Sequence, residues 1–185
     1  DDWFRVTDGK VEPTPIVSYG LDDSATTGAL GFTTDGKTLY WADSRDRDTG
    51  ALMAQDSSGK MTLIAQDPRV DISNGLFNPK TGVIEAYRQD YLRSEYVPVG
   101  DAVKADLAFL KAQNKGEFTV TSRTEADDKW LVAFDPVSAP ASTWVYDRKA
   151  KALKQLYVSR PALVGAPLVP MIPTVIKSRD GLDLV

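Results

Sequence analysis

Short runs of β-branched and aromatic residues, separated by turns that contain glycine, dominate the pattern along this chain. In the segment 37–42, Tyr40 and Ala42 fall on one face of a predicted strand. Leu39 and Trp41 fall on the other face, because alternate side chains of a strand point in opposite directions. Both faces are therefore expected to be buried, as in a sheet that packs between neighbouring sheets.

The runs group into units of up to four strands at a period of roughly 40–50 residues, which is typical of β-propeller blades. The predicted strands are 29–34, 37–44, 51–56 and 60–66 in a first unit, 71–77, 83–91 and 95–99 in a second, 117–122, 129–134, 142–146 and 153–158 in a third, and 3–6 with 11–19 as the end of an earlier one. The predicted fold class is mainly all-β, a partial β-propeller of about three four-stranded antiparallel blades with one inserted α-helix.

The inserted helix is predicted at 101–113. Val103, Leu107 and Leu110 recur at helical spacing and build one apolar stripe. Asp101 is the expected N-cap residue, because aspartate accepts hydrogen bonds from the first free N–H groups of a helix. The stripe predicts a helix that covers its own sheet; a partner-binding helix is the alternative.

Beyond residue 158 the pattern changes. Residues 159–173 contain four prolines and are predicted to form a linker, since proline cannot take part in a central strand. Residues 174–185 resemble a strand, a turn and the start of a second strand, which would leave an unpaired edge. We therefore expect a partial propeller at 1–158, a linker at 159–173 and the first residues of a truncated further domain at 174–185.

Composition excludes several classes of protein. The 185 residues are 42% hydrophobic and 26% charged, which indicates a globular chain. No apolar run approaches the roughly 18 residues of a transmembrane helix, and a net charge of −4 argues against nucleic-acid binding. There is no cysteine and no histidine, so a Ser-His-Asp site within this chain is excluded. The cytoplasm and the periplasm both remain open as localisations.

Two local motifs resemble ligand sites and are rejected. Residues 31–38 fit the G-x-x-x-x-G-K-[ST] phosphate-loop pattern, but a strand-like aromatic run follows where a helix is required. Asp43, Asp46 and Asp48 resemble a calcium loop, yet counting from Asp46 the pattern lacks the glycine and the glutamate that an EF-hand needs. A hairpin turn and a solvated, self-compensated acidic loop are predicted instead, and no cofactor or metal site is assigned.

Two charged segments remain as candidates for substrate contact. Residues 85–91 mix charges with aromatic side chains, and either Glu85 or Arg88 could face a ligand; a solvated rim or a structural ion pair is the favoured interpretation. The acids of residues 125–128 beside Arg123 are interpreted as a structural polar turn. No G-x-S-x-G motif occurs, so no catalytic residue is assigned, and the substrate-binding residues stay unassigned.

The C-terminal third carries a family resemblance. The motifs are Ser122–Arg123, Asp127–Asp128, the segment 129–132, the segments 144–148 and 153–156, and the passage 160–163, 170–173 and 175–182. In this order they resemble the last propeller blade of the prolyl oligopeptidase family, particularly its acylaminoacyl-peptidase and dipeptidyl-peptidase-like members, and its passage into an α/β-hydrolase domain.

The resemblance implies a serine peptidase in which a propeller caps the active site and filters peptides by size. This chain would be a non-catalytic part of it, inactive alone, with the α/β-hydrolase domain of the same polypeptide as its partner and peptides as substrates. Exposed blade edges would permit self-association. The alternative is a free-standing propeller-like module that binds a protein or a glycan. A G-x-S-x-G motif encoded beyond Val185 would favour the peptidase; a stop codon there would favour the module.

Overall fold

The computed structural model describes residues 1–72 and 74–185, and it is built mainly from antiparallel strands. The chain divides into two compact units, Asp1–Gly75 and Leu76–Val185. Within each sheet the strands form a meander, in which each strand pairs with a strand adjacent to it in sequence. This arrangement suits short strands joined by tight turns.

The first unit contains a hairpin and a four-stranded sheet. The hairpin joins β1 (Asp2–Thr7) to β2 (Lys10–Ser18), and the sheet has the order β3 (Gly28–Phe32), β4 (Thr38–Asp43), β5 (Ala51–Asp56) and β6 (Met61–Ala65). These bounds match the first predicted unit to within a few residues.

Strand β4 is buried on both faces, as its sequence predicts. Leu39, Tyr40, Trp41 and Ala42 are all at most 8% exposed. The indole Nε1 of Trp41 donates a hydrogen bond to the amide oxygen of Gln55 on β5, 3.1 Å away. A buried donor is thus satisfied by a neutral acceptor, and the ring of Trp3 packs edge-on against Trp41 at 5.3 Å.

The second unit contains a three-stranded sheet, a helix and a four-stranded sheet. A three-stranded sheet is formed by β7 (Gly75–Phe77), β8 (Ile84–Asp90) and β9 (Ser94–Pro98). The helix α1 (Lys104–Ala112) follows, and then the four-stranded sheet β10 (Glu117–Arg123), β11 (Lys129–Asp135), β12 (Ser142–Asp147) and β13 (Ala152–Val158). Within residues 1–72 and 74–185, the middle sheet therefore has three strands, where the sheets before and after it have four.

The helix begins later than predicted. Its N-cap residue is Val103, with no side-chain cap, so the expected capping role of Asp101 is wrong. The backbone N–H of Lys104 donates to the carbonyl of Asp101, which closes a single turn before the helix proper. The apolar stripe is confirmed: Val103, Leu107 and Leu110 are buried in one cluster with Trp130 and residues of both sheets. The helix thus covers the sheets of its own unit.

The backbone approaches itself closely just after the helix. Asn114 has a φ of 52° and Gly116 a φ of 98°, both in the left-handed region. A side chain at Gly116 would place its Cβ 2.1 Å from the carbonyl oxygen of Asp135. Only glycine fits such a contact, so this position fixes how β10 starts beside the end of β11.

The C-terminal residues form little regular structure. A 3₁₀ turn, η1, spans Pro161–Leu163, and a two-residue ladder joins β14 (Ile176–Lys177) to β15 (Asp183–Leu184). These last strands pair with each other, and their residues are exposed. The tight turn between them, closed by Ser178 and Gly181, makes this pairing local.

Candidate functional site

A largely buried network of charged side chains lies in the second unit. At its centre lies the carboxylate of Asp127, in the turn between β10 and β11. Its Oδ1 accepts hydrogen bonds from Nε of Arg123 at 2.6 Å and from Nε1 of Trp130 at 2.7 Å. Its Oδ2 accepts from Nη2 of Arg123 at 2.5 Å and from Arg148. Two arginines and one indole therefore converge on a single carboxylate.

Arg123 extends the network to the neighbouring sheet. Its Nη1 donates to the carboxylate of Glu85 on β8 at 2.6 Å and to the carbonyl oxygen of Phe77 at 2.9 Å. The Arg123 side chain is only 5% exposed. Asn78 also donates to Glu85, at 3.0 Å. A guanidinium presents its N–H groups in a fixed fork, which suits contacts to two carboxylates at once.

Arg148 extends the network to the helix. Its Nη2 and Nε donate to Asp106 of α1 at 2.8 and 3.2 Å. The hydroxyl of Tyr146 donates to the same carboxylate at 2.6 Å, and Lys151 contacts it as well. Asp106 is 4% exposed. The helix is thereby joined to β12 and to the turn between β12 and β13 by charge-assisted hydrogen bonds.

The pKa values follow from these contacts. Burial acts to raise the pKa of the Asp106 carboxyl, but hydrogen bonds from Arg148, Lys151 and Tyr146 outweigh burial and hold the pKa below its ordinary value. Burial, and then the hydrogen bond to Asp106, raise the pKa of Tyr146 to about 12. Asp106 is therefore ionised and Tyr146 neutral near pH 7, which suits structural pairing rather than proton transfer.

Two cations lie close to the ring of Trp130. The guanidinium carbons of Arg123 and Arg148 stand 4.9 and 4.8 Å from its ring centroid. Both distances are within the range of cation–π attraction, which is stronger for groups withdrawn from water. The three acids Glu85, Asp106 and Asp127 balance the three bases Arg123, Arg148 and Lys151, so the network is neutral as a whole.

The structure places the candidates of the sequence in different settings. Glu85 and Arg123 meet in the network, which agrees with the structural ion pair favoured from the sequence. Arg88 instead contacts Asp90 at 3.1 Å and Thr119 at 3.3 Å. Asp128 binds the hydroxyl of Thr124 on the surface and lies outside the network.

The two rejected motifs are local turns. Residues 31–38 form the connection from β3 to β4, with Gly36 at a φ of 68°. In the acidic loop, Asp43 is buried and holds Arg45 through hydrogen bonds of 2.9 and 2.8 Å. The predicted compensation of the loop by arginine is therefore confirmed for Asp43, whereas the predicted solvation is wrong for this residue, which is paired inside the fold. No cluster of possible metal ligands occurs among the described residues.

Asp106, Arg148 and Lys151 were missed from the sequence. One indication was available: Asp106 falls within the apolar stripe of α1, where a charged residue needs a buried partner. The partners lie on other elements, more than 40 residues further along the chain, and the spacing of residues does not identify them.

A cleft of about 490 Å³ lies beside α1 in the same unit. One wall is β9, including Ser94, Tyr96 and Pro98; the other is the exposed side of α1. Lys111 of α1 bridges to Glu95 of β9 at 3.0 Å, and Arg93 bridges to Glu117 at 3.3 Å. The size suits a small ligand or a short peptide segment.

This chain is similar to known proteins in sequence and in fold. The chain is 46% identical over 166 residues to dipeptidyl aminopeptidase BIII of Pseudoxanthomonas mexicana, a match that covers 89% of this chain and 24% of that protein. The chain thus spans about a quarter of the length of that relative. No model of a protein family matches, and no described helix has the length and apolar character to cross a membrane.

The crystal structure of TolB from Acinetobacter baumannii has a similar fold. It superposes with a TM-score of 0.50 at 15% identity, over 81% of this chain and 35% of that one. At this identity the likeness concerns the fold alone, and it supports the β-propeller class predicted from the sequence. The resemblance carried by the C-terminal motifs is also confirmed: this chain is a relative of the prolyl oligopeptidase-family peptidases.

Proposed function

We propose that this chain is the propeller part of a serine peptidase that caps an α/β-hydrolase active site and admits peptides according to their size. The observation that carries the proposal is the 46% identity to a dipeptidyl aminopeptidase over 89% of the chain. The catalytic residues would belong to a different part of the polypeptide, because this chain holds no histidine and no G-x-S-x-G motif.

A size filter requires a rim that does not open, and the charged network supports this requirement. It links β8 to β10 through Glu85 and Arg123, and α1 to β12 through Asp106 and Tyr146, by hydrogen bonds between residues far apart in sequence. Removing one partner of a buried ion pair leaves the other charge uncompensated, which is costly. The network would therefore resist separation of the sheets β7–β9 and β10–β13, which it joins. The rim past which peptides enter would then keep its width.

Exposed apolar side chains near the C-terminus support the hydrolase domain as partner. Val169, Met171 and Ile172 are 81, 69 and 76% exposed, and Leu182 is 65% exposed. Several large apolar side chains exposed in one segment are typical of a docking surface. When the chain is isolated, the same surface and the strand edges would favour self-association.

The proposal is tested in the full-length protein that contains this segment. We expect rapid hydrolysis of a chromogenic dipeptide substrate and very slow hydrolysis of casein. Arg123→Met should raise the casein rate severalfold relative to the dipeptide rate, because loss of the network loosens the rim. Circular dichroism checks that the variant is folded. The exposed Arg160→Met serves as control and should leave the ratio unchanged.

Two results would contradict the proposal. One is casein hydrolysis by the unmodified protein at a rate close to that of the dipeptide. The other is peptide hydrolysis by residues 1–185 alone, since these residues would then hold their own catalytic machinery.

A further inference from the structure

The middle sheet of the molecule ends at a strand whose outer side faces a cleft. Sheets β3–β6 and β10–β13 each have four strands, whereas in the described chain no fourth strand pairs with β9. The cleft of about 490 Å³ runs along β9 between this strand and α1. We propose that the cleft binds an extended segment of another protein chain, which joins the sheet as its fourth strand.

The backbone of β9 is oriented for this role. The N–H of Val99 donates to the carbonyl of Glu85 at 2.9 Å, which fixes the alternation of the β8–β9 ladder. In an antiparallel ladder, residues two apart direct their N–H and C=O groups to the same side. Val97 and Glu95 therefore face β8. Ser94, Tyr96 and Pro98 direct their backbone groups outward, and these three residues line the cleft.

The outward backbone groups of β9 differ between the ends and the middle of the strand. The outward N–H of Ser94 is bound by the Glu117 carboxylate at 3.2 Å, and Pro98 carries no N–H. Tyr96 lies between them and offers both a donor and an acceptor. A segment that adds to this edge can exchange a complete pair of hydrogen bonds with Tyr96, which is how strand addition gains affinity.

The walls of the cleft select the side chains of the ligand. Leu107 and Ala108 of α1 and Phe118 of β10 line it, so one face of the bound segment meets apolar surface. The segment should therefore carry apolar residues at alternate positions. Since β9 has five residues, a ligand strand of about five residues, roughly 17 Å long, matches its edge.

Charge further defines the ligand. At the Ser94 end lie the carboxylates of Glu117 and Asp135, which are paired in the β10–β11 ladder. Arg93 forms an ion pair with Glu117 at 3.3 Å, so the charge of Asp135 leaves this end of the cleft negative. Lys104, at the start of α1, lines the cleft with Pro98 at the opposite end. The β8–β9 and β10–β11 ladders beside the cleft are both antiparallel. An antiparallel ligand that is acidic at its N-terminal end and basic at its C-terminal end complements this arrangement.

The test is peptide binding measured by fluorescence anisotropy. The probe is a fluorescein-labelled heptapeptide with the sequence Glu-Val-Thr-Val-Thr-Val-Lys and an amidated C-terminus. Ala108→Trp, which fills the cleft from the exposed side of α1, should lower affinity about tenfold or more. Ala105→Trp adds the same side chain to the same helix outside the cleft and should leave affinity within about twofold.

Two further peptides test the mode of binding. Exchanging the terminal glutamate and lysine should weaken binding, because the charges then meet like charges. In one peptide all the valines are N-methylated, and in the other all the threonines. Each change removes N–H donors from one edge of the peptide only, so one of these peptides should bind and the other should not. Absence of binding to the unmodified probe, equal affinity of the two methylated peptides, or an unchanged affinity in Ala108→Trp would each overturn the proposal, which does not depend on the proposed peptidase role.

Discussion

The sheets β3–β6 and β10–β13 share one backbone plan, and the side chains of one turn account for an important difference between their interiors. Thr38 pairs with Asp56 in the first sheet and Lys129 with Asp147 in the second, so β4–β5 and β11–β12 have the same register. In the first turn the left-handed position is held by Gly36, with a φ of 68°; in the second it is held by Asp127, with a φ of 55°.

This difference separates a neutral core from a charged one. Around Trp41 the indole donor is satisfied by the amide of Gln55. Around Trp130 it is satisfied by Asp127, and the charge of that carboxylate brings in two arginines. Aspartate tolerates left-handed backbone better than most residues, so one substitution at a turn adds a buried anion without altering the fold. The same frame thus supports two kinds of interior.

The largest loss of unfolding free energy is expected when Asp127 is replaced by the glycine that the first turn carries. Asp127→Gly keeps the backbone conformation but leaves Arg123 and Arg148 without their shared carboxylate. Breaking a buried ion pair costs about 3–5 kcal/mol of unfolding free energy. Urea unfolding followed by circular dichroism measures the loss.

The matched control is Asp46→Gly. Asp46 has a φ of 57° and is exposed, so the same substitution in the same backbone region should change the unfolding free energy by less than about 0.5 kcal/mol. Similar losses in the two variants would show that backbone conformation, and not the buried charge, makes Asp127 important.

A smaller loss of stability is expected when the carboxylate of Asp106 is removed. The pKa of Asp106 is depressed, because the hydrogen bonds from Arg148, Lys151 and Tyr146 outweigh its burial. The stability that it contributes is therefore present above its ordinary pKa of 3.8 and is lost as the pH falls through the depressed value. Asp106→Asn should be less stable at pH 7 and should lose less stability between about pH 4 and pH 2 than the unmodified protein.

Unfolding free energies at several pH values test this prediction. Other carboxyl groups with depressed pKa values, such as Asp43 and Asp128, contribute equally to both proteins. The difference between the two pH profiles thus isolates Asp106, and parallel profiles would contradict its assignment.

The smallest effect is expected from the reciprocal substitution. Gly36→Asp places an acid at the left-handed position of the first turn, where a Cβ meets no atom within 4 Å. We expect a loss of about 1 kcal/mol or less in unfolding free energy, since the position is exposed and aspartate tolerates its φ. A larger loss by urea unfolding would show that the two turns are less equivalent than their registers indicate.

The sequence predicts much of the fold because the patterns that determine it are local. Alternation in residues 37–42 predicts a strand buried on both faces, and helical spacing of Val103, Leu107 and Leu110 predicts the buried stripe of α1. Both follow from the regular geometry of strands and helices. The predicted capping of α1 by Asp101 is wrong because the carbonyl of Asp101 accepts a hydrogen bond from Lys104, in a turn that precedes the helix.

The network and the cleft are harder to predict because they depend on tertiary contacts. Asp106 meets Arg148 across 42 residues of chain, and local spacing gives no measure of such a contact. The cleft arises because the middle sheet has three strands, which depends on where pairing ends. A charged residue within an apolar stripe was the one indication that sequence offered.

The strand ladders also contain irregularities that the two four-stranded sheets share. In each sheet the register shifts once between the first and second strands and once between the third and fourth, whereas the central pair is regular. Bulges increase local twist, so the twist of each sheet is concentrated on either side of an even middle. Leu30 and Thr121 are the extra residues at the first of these shifts. They are reference points for aligning blades whose side chains have diverged, because a one-residue gap between them and the following turn would assign the residues of that stretch to the wrong face of the sheet.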